Sequence, residues 1–111
     1  MIHANTIRSY ARRIAQEFQP EKIILFGSYA NGRPTEDSDV DLMVIIPYKG
    51  HSADLAVTIR QKLAAPFPLD LLVRSPQMIR RRLKTRDYFL RDVMTKGQVL
   101  YEAGNKRTCS I

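Results

Sequence analysis

Apolar residues in the N-terminal stretch recur at intervals of three and four. Ile7, Tyr10, Ala11, Ile14, Ala15 and Phe18 fall on one helical face, with Asn5 or Thr6 as N-cap and Pro20 as the stop. The pattern predicts a helix over about residues 5–18. The period then changes. Lys22-Ile23-Ile24-Leu25-Phe26 is a short β-branched run closed by Gly27, which reads as a buried strand. Ser28–Gly32 suits a single helical turn, and Gly32-Arg33-Pro34-Thr35 a loop. From Val40 to Ile46 an aspartate alternates with apolar residues before the run turns wholly apolar and ends at Pro47, predicting a second strand.

A helix over about residues 52–64 carries Leu55, Ile59 and Leu63 on one face, and Pro66 and Pro68 precede a third strand, Leu69–Val73. Ser75-Pro76 is a helix start, with serine as N-cap and proline at the first helical position. A basic helix, broken near Lys84, runs to about Lys96, where Gly97 suits the C-terminal cap. Val99–Tyr101 reads as a last short strand. The order α-β-β-α-β-α predicts an α/β (α+β) fold, a small mixed β-sheet with flanking helices. A single domain over residues 1–103 is expected, with residues 104–111 as a frayed tail.

Composition narrows the chemistry. With 44% apolar residues in 111, the chain reads as globular rather than disordered. No stretch approaches the roughly 18–20 apolar residues of a membrane span, and MIHANTIRSYARRIAQEF lacks the apolar middle of a signal peptide. The expected compartment is the cytoplasm. Cys109 has no partner in the chain, which excludes a disulfide framework and a multi-cysteine zinc site. His3 and His51 match no ligand spacing. Any bound metal must be held by oxygen, favouring Mg²⁺ or Mn²⁺. The net charge of +7 points to polyanionic partners: nucleotide phosphates, nucleic acid or an acidic protein surface.

The segment GSYANGRPTEDSDVD, Gly27 to Asp41, concentrates the candidate chemistry. Gly27 and Ser28 leave the first strand in a turn that can present N–H groups and a hydroxyl to a phosphate. Asp39 and Asp41 open the second strand. At spacing i, i+2 they point to the same side, about 7 Å apart along the backbone, and can converge on divalent cations. Asp70 opens the third strand in the same way. If the two strands are neighbours, three carboxylates meet at one sheet edge, and cations would relieve their repulsion. Such a site can bind a triphosphate, lower the pKa of an attacking hydroxyl and stabilise leaving pyrophosphate.

GSYANG…SDVDL followed by LDLLV resembles the nucleotidyltransferase superfamily related to DNA polymerase β, and within it the minimal nucleotidyltransferases of about this length. The shared pattern is Gly-Ser, a spacer of ten residues (Tyr29 to Ser38 here), Asp-X-Asp, and a third acidic residue on a later strand. The resemblance implies that Gly27 and Ser28 hold the β- and γ-phosphates of the donor and that Asp39 and Asp41 ligate two Mg²⁺ ions. It gives Asp70 the catalytic metal and help in activating the acceptor hydroxyl. The implied reaction is in-line attack of a hydroxyl on the α-phosphate of ATP, releasing pyrophosphate. Many such proteins are antitoxins that transfer AMP to a tyrosine of a partner with a HEPN domain, a helical RNase.

Plainer readings stand beside these. The Asp-Ser-Asp run is also common turn material. Ser38 either bonds the backbone of the turn or touches a phosphate. Ser28 can serve as a helix N-cap, and Tyr29 and Phe89 suit packing roles. The run Arg80 to Arg86 is either a solvated helical face or a docking face for an acidic partner or RNA, and no stacking pattern indicates sequence-specific RNA recognition. Two other functions fit the residues: an antitoxin that neutralises its partner by covering it, and nucleotidyl transfer to a small molecule such as an aminoglycoside.

Overall fold

In the computed structural model of the chain, the structure describes residues 1–104; the tail expected at 104–111 falls, apart from Gly104, outside the described residues. Strand β1 (Lys22–Phe26) pairs on one side with β2 (Val40–Ile45) and on the other with β4 (Gln98–Glu102), both antiparallel. Strand β3 (Leu69–Arg74) adds to β2 in parallel, giving the order β3-β2-β1-β4. The parallel pair needs a crossover, which is supplied by α3 (Ser52–Lys62), packed on β3.

Strand alternation divides the core into two faces. Ile23, Leu25, Val40, Leu42, Val44, Leu71 and Val73 meet α1 (Ala4–Phe18) and α3 on one face. The helical period of α1 places Ile7, Tyr10, Ala11 and Ile14 there, and Tyr10 donates its buried hydroxyl to the Leu63 carbonyl at 2.7 Å. On the other face Ile24, Met43 and Ile45 meet α4 (Pro76–Lys84) and α5 (Tyr88–Lys96) through Ile79, Leu90 and Val93. Asp41 has the parity of Met43 and Ile45, and Asp70 that of Leu72, so both carboxylates belong to the α4–α5 face.

The elements lie close to where the residue pattern predicts them, with local differences. The N-cap of α1 is His3, whose Nδ1 accepts from the Asn5 N–H, rather than Asn5 or Thr6. The chain leaves α1 through Gln19 in the left-handed region, φ 53°, ahead of buried Pro20. Ser75 caps α4 by accepting from the Met78 N–H at 3.1 Å, with Pro76 at the first helical position. The expected break after Lys84 is a turn through Arg86, φ 60°, before Asp87 caps α5. Gly97 ends α5 with negative φ; it is needed there for a different reason. A Cβ at Gly97 would collide with the Val93 carbonyl and with Ile24.

Candidate active site

Strand direction decides what meets what. Antiparallel pairing sets the end of β1 against the start of β2, with Phe26 opposite Asp41. Parallel pairing sets the start of β2 beside the start of β3, with Asp41 opposite Asp70. The Gly-Ser turn, Asp41 and Asp70 are therefore gathered at one end of the sheet by backbone pairing alone.

Gly27 is the N-cap of the four-residue helix α2 (Ser28–Asn31) and has φ 75° and ψ −154°, a conformation open essentially to glycine only. Its carbonyl accepts from the N–H groups of Ala30 and Asn31. A Cβ on Gly27 would run into the Oδ2 and Cγ of Asp41. The glycine thus serves twice: it permits the turn and leaves room for the Asp41 carboxylate over the loop. Ser28, half-buried, is the first residue of α2, and its hydroxyl has no hydrogen bond among the described residues. Tyr29 has the structural role expected of it, its hydroxyl accepting from the Ile2 N–H at 3.1 Å.

Asp41 is half-buried, and its carboxyl is pushed up to about 6. Burial is the largest cause, followed by the charges of Asp70 and Asp39 and a hydrogen bond with the Asp70 carboxyl. Asp39, exposed just before β2, acts on Asp41 through its charge; Asp70 is exposed on the edge strand. Among the described residues no three His, Cys, Asp or Glu side chains are drawn together tightly enough to form a ready-made metal cage. The donor set nevertheless fits a hard divalent cation. It consists of carboxylate oxygens only, and their mutual repulsion adds to burial in raising the Asp41 carboxyl.

Ser38 is occupied locally. Its Oγ accepts from the Thr35 N–H at 2.9 Å and lies 3.2 Å from the Thr35 hydroxyl, while its own N–H donates to the Thr35 carbonyl. It closes the turn that delivers Asp39. Two features escape the residue pattern. The contact between Gly27 and Asp41 depends on strand pairing, of which the fixed spacing from Gly27 to Asp41 is the only sequence trace. Phe89, expected in the core, is 48% exposed and stacks edge-on against Phe26 at 5.6 Å. It shares with Phe26, Gly27 and Asn31 the lining of a cavity of about 180 Å³ beside the loop.

Among the described residues no helix is long and apolar enough to cross a membrane. A family model described as "Polymerase beta, Nucleotidyltransferase" matches residues 6–106. The chain is 32% identical over 83 residues to "Putative protein adenylyltransferase MJ0604" of Methanocaldococcus jannaschii, spanning 73% of this chain and 78% of that protein. Its fold resembles that of a putative nucleotidyltransferase from Sulfolobus solfataricus, with TM-score 0.62 and 16% identity over 88% of this chain and 78% of the other. It also resembles a chain of a toxin–antitoxin crystallised with AMP-PNP, with TM-score 0.55 and 20% identity over 92% and 78%. The chain belongs to the polymerase beta nucleotidyltransferase family, and is an enzyme of that type.

Proposed function

We propose that the chain transfers AMP from MgATP to a tyrosine hydroxyl of a toxin partner, a helical RNase of the HEPN type, in the cytoplasm. The observation that carries this reading is the gathering of Asp41, Asp70 and the Gly27 turn at one sheet end. Protein adenylylation is supported by the name of the Methanocaldococcus relative, and the toxin partner and adenine nucleotide by the toxin–antitoxin neighbour with AMP-PNP.

In this reading Asp39, Asp41 and Asp70 hold two Mg²⁺ ions. When bound, these supply charge neutralisation at the triphosphate and acidify the attacking hydroxyl. The Gly27–Ser28 turn offers backbone N–H groups and the Ser28 hydroxyl to the β- and γ-phosphates. Asp70, exposed on its edge strand, faces the incoming hydroxyl and accepts its proton. Ser38 contributes by fixing the turn that carries Asp39.

The test is mass spectrometry of the product of the neighbouring reading frame after incubation with this protein and MgATP. One added AMP on a tyrosine, with pyrophosphate released and both lost in Asp39→Ala and Asp41→Ala, is expected. Neutralisation of the partner without added mass would replace catalysis by simple covering. Full activity in both variants would overturn the metal assignment.

A further inference from the structure

The positive charge of the chain is not spread over its surface. Between Arg74 and Lys96 the sequence holds eight Lys or Arg against two Asp, a balance of +6 out of +7 for the whole chain. That segment is the last residue of β3 and the α4–α5 layer. Both of its aspartates are engaged, Asp87 with the Leu90 N–H and Asp92 with Lys96. Arg80, Arg81, Arg82, Arg86 and Arg91 are exposed, and none has an ion pair among the described residues. Because Ile79 and Leu83 turn toward the sheet, Arg81 and Lys84 point outward from α4. Leu90 and Val93 do the same for α5, turning Tyr88 and Arg91 outward.

Two aromatic side chains of this basic layer are exposed, Tyr88 freely and Phe89 on the side away from Phe26. Tyr88 is 71% exposed and Phe89 48% exposed, with Arg86 just before them. Arg91 lies one turn from Tyr88, close enough for their side chains to share one surface. We propose that the outer face of α4 and α5 binds single-stranded nucleic acid without sequence preference. Guanidinium groups take the phosphates, and Tyr88 with Phe89 offers ring faces on which unpaired bases stack. A duplex would satisfy the arginines but not the rings, and so would an acidic peptide. The surface also leads to the active site: Phe89 stacks on Phe26, which lies opposite Asp41 in the sheet. The proposal does not depend on the transferase reading.

The experiment is fluorescence anisotropy of a labelled mixed-sequence 20-nucleotide RNA titrated with the whole chain in EDTA, so that the acidic cluster takes no part through metal. Parallel arms use single-stranded DNA of the same sequence, the RNA duplex, and a 20-residue polyglutamate. Both single strands are expected to bind, and to weaken at least about tenfold between 50 and 200 mM salt as three or more phosphates release counterions. The triple variant Arg81→Gln/Arg82→Gln/Arg91→Gln should lose about tenfold or more. Tyr88→Ala should lose about fivefold or more on single strands and nothing on duplex, whereas Tyr88→Phe should keep wild-type affinity because stacking survives. Absence of RNA binding overturns the proposal. So does polyglutamate binding as tight as RNA, which would make this a face for an acidic protein. Equal loss in Tyr88→Ala and Tyr88→Phe would remove the stacking platform and overturn it as well.

Discussion

Replacing Gly27 with alanine tests the site where it is most tightly built. Holding a residue with a side chain at φ 75° and ψ −154° costs about 1–3 kcal/mol. The new Cβ also displaces the Asp41 carboxyl from its rotamer, adding about 0.5–1.5 kcal/mol. Reduced freedom of the unfolded chain offsets about 0.5 kcal/mol. The expected loss is therefore about 1–4 kcal/mol, centred on ~2.5 kcal/mol, read as a lower urea midpoint at unchanged slope in EDTA. Gly32→Ala is the control: its φ of 74° is also left-handed, but nothing lies within 4 Å of the added carbon, so about 1 kcal/mol is expected. A double-mutant cycle with Asp41→Ala isolates the collision and should recover about 1 kcal/mol. If Gly27→Ala costs no more than Gly32→Ala, or the cycle adds within about 0.3–0.5 kcal/mol, Gly27 is not making room for Asp41 and the reasoning fails.

Asp41 also gives the metal-free chain a pH signature. Its folded carboxyl titrates near 6 rather than near 3.8, so the folded state holds the extra proton between those values, and stability should fall as pH rises through that window. Because the group is partly solvated and screened, about 1 kcal/mol is expected rather than the full shift. Melting curves in EDTA from pH 4 to 7 should show the decline in wild type and a flatter profile in Asp41→Asn. Magnesium should act in the opposite sense: at tenfold over its dissociation constant it should stabilise wild type by about 1.4 kcal/mol, and the melting shift should vanish in Asp41→Asn. Away from the site, Tyr10→Phe leaves the Leu63 carbonyl without its donor and should cost about 1–2 kcal/mol in urea unfolding.

Much of this was legible in the residue pattern, because local signals there agree. Ser75-Pro76 starts a helix for reasons confined to four residues, and the β-branched run Lys22–Phe26 closed by glycine has one natural reading. The acidic pair and Asp70 announced themselves by opening apolar runs. What stayed hidden depends on residues far apart in the chain. Period-two alternation says that β2 has two faces, but not that β1 lies antiparallel to it and β3 parallel. The first pairing sets Gly27 against Asp41, and the second sets Asp70 beside it. For the same reason Gly97 was legible as the cap of α5, which it is, while the approach of Val93 and Ile24 that demands glycine there was not. Phe89 looked like core because its neighbours are apolar, yet its helix turns Leu90 and Val93 inward in its place.

Asp41 and Asp70 also differ in how firmly the sheet grips them. Asp41 lies on a strand paired on both sides, whereas Asp70 lies on β3, which among the described residues has a neighbour on one side only. Edge strands open at lower free energy than central ones. Transient detachment of β3 would withdraw Asp70 while Gly27 and Asp41 stayed locked together and most of the helical content persisted. Such a molecule would pass as native by circular dichroism yet, on the proposed role of Asp70, be unable to complete a turnover. Amide exchange should find this sub-state, with β3 amides losing protection well before those of β2.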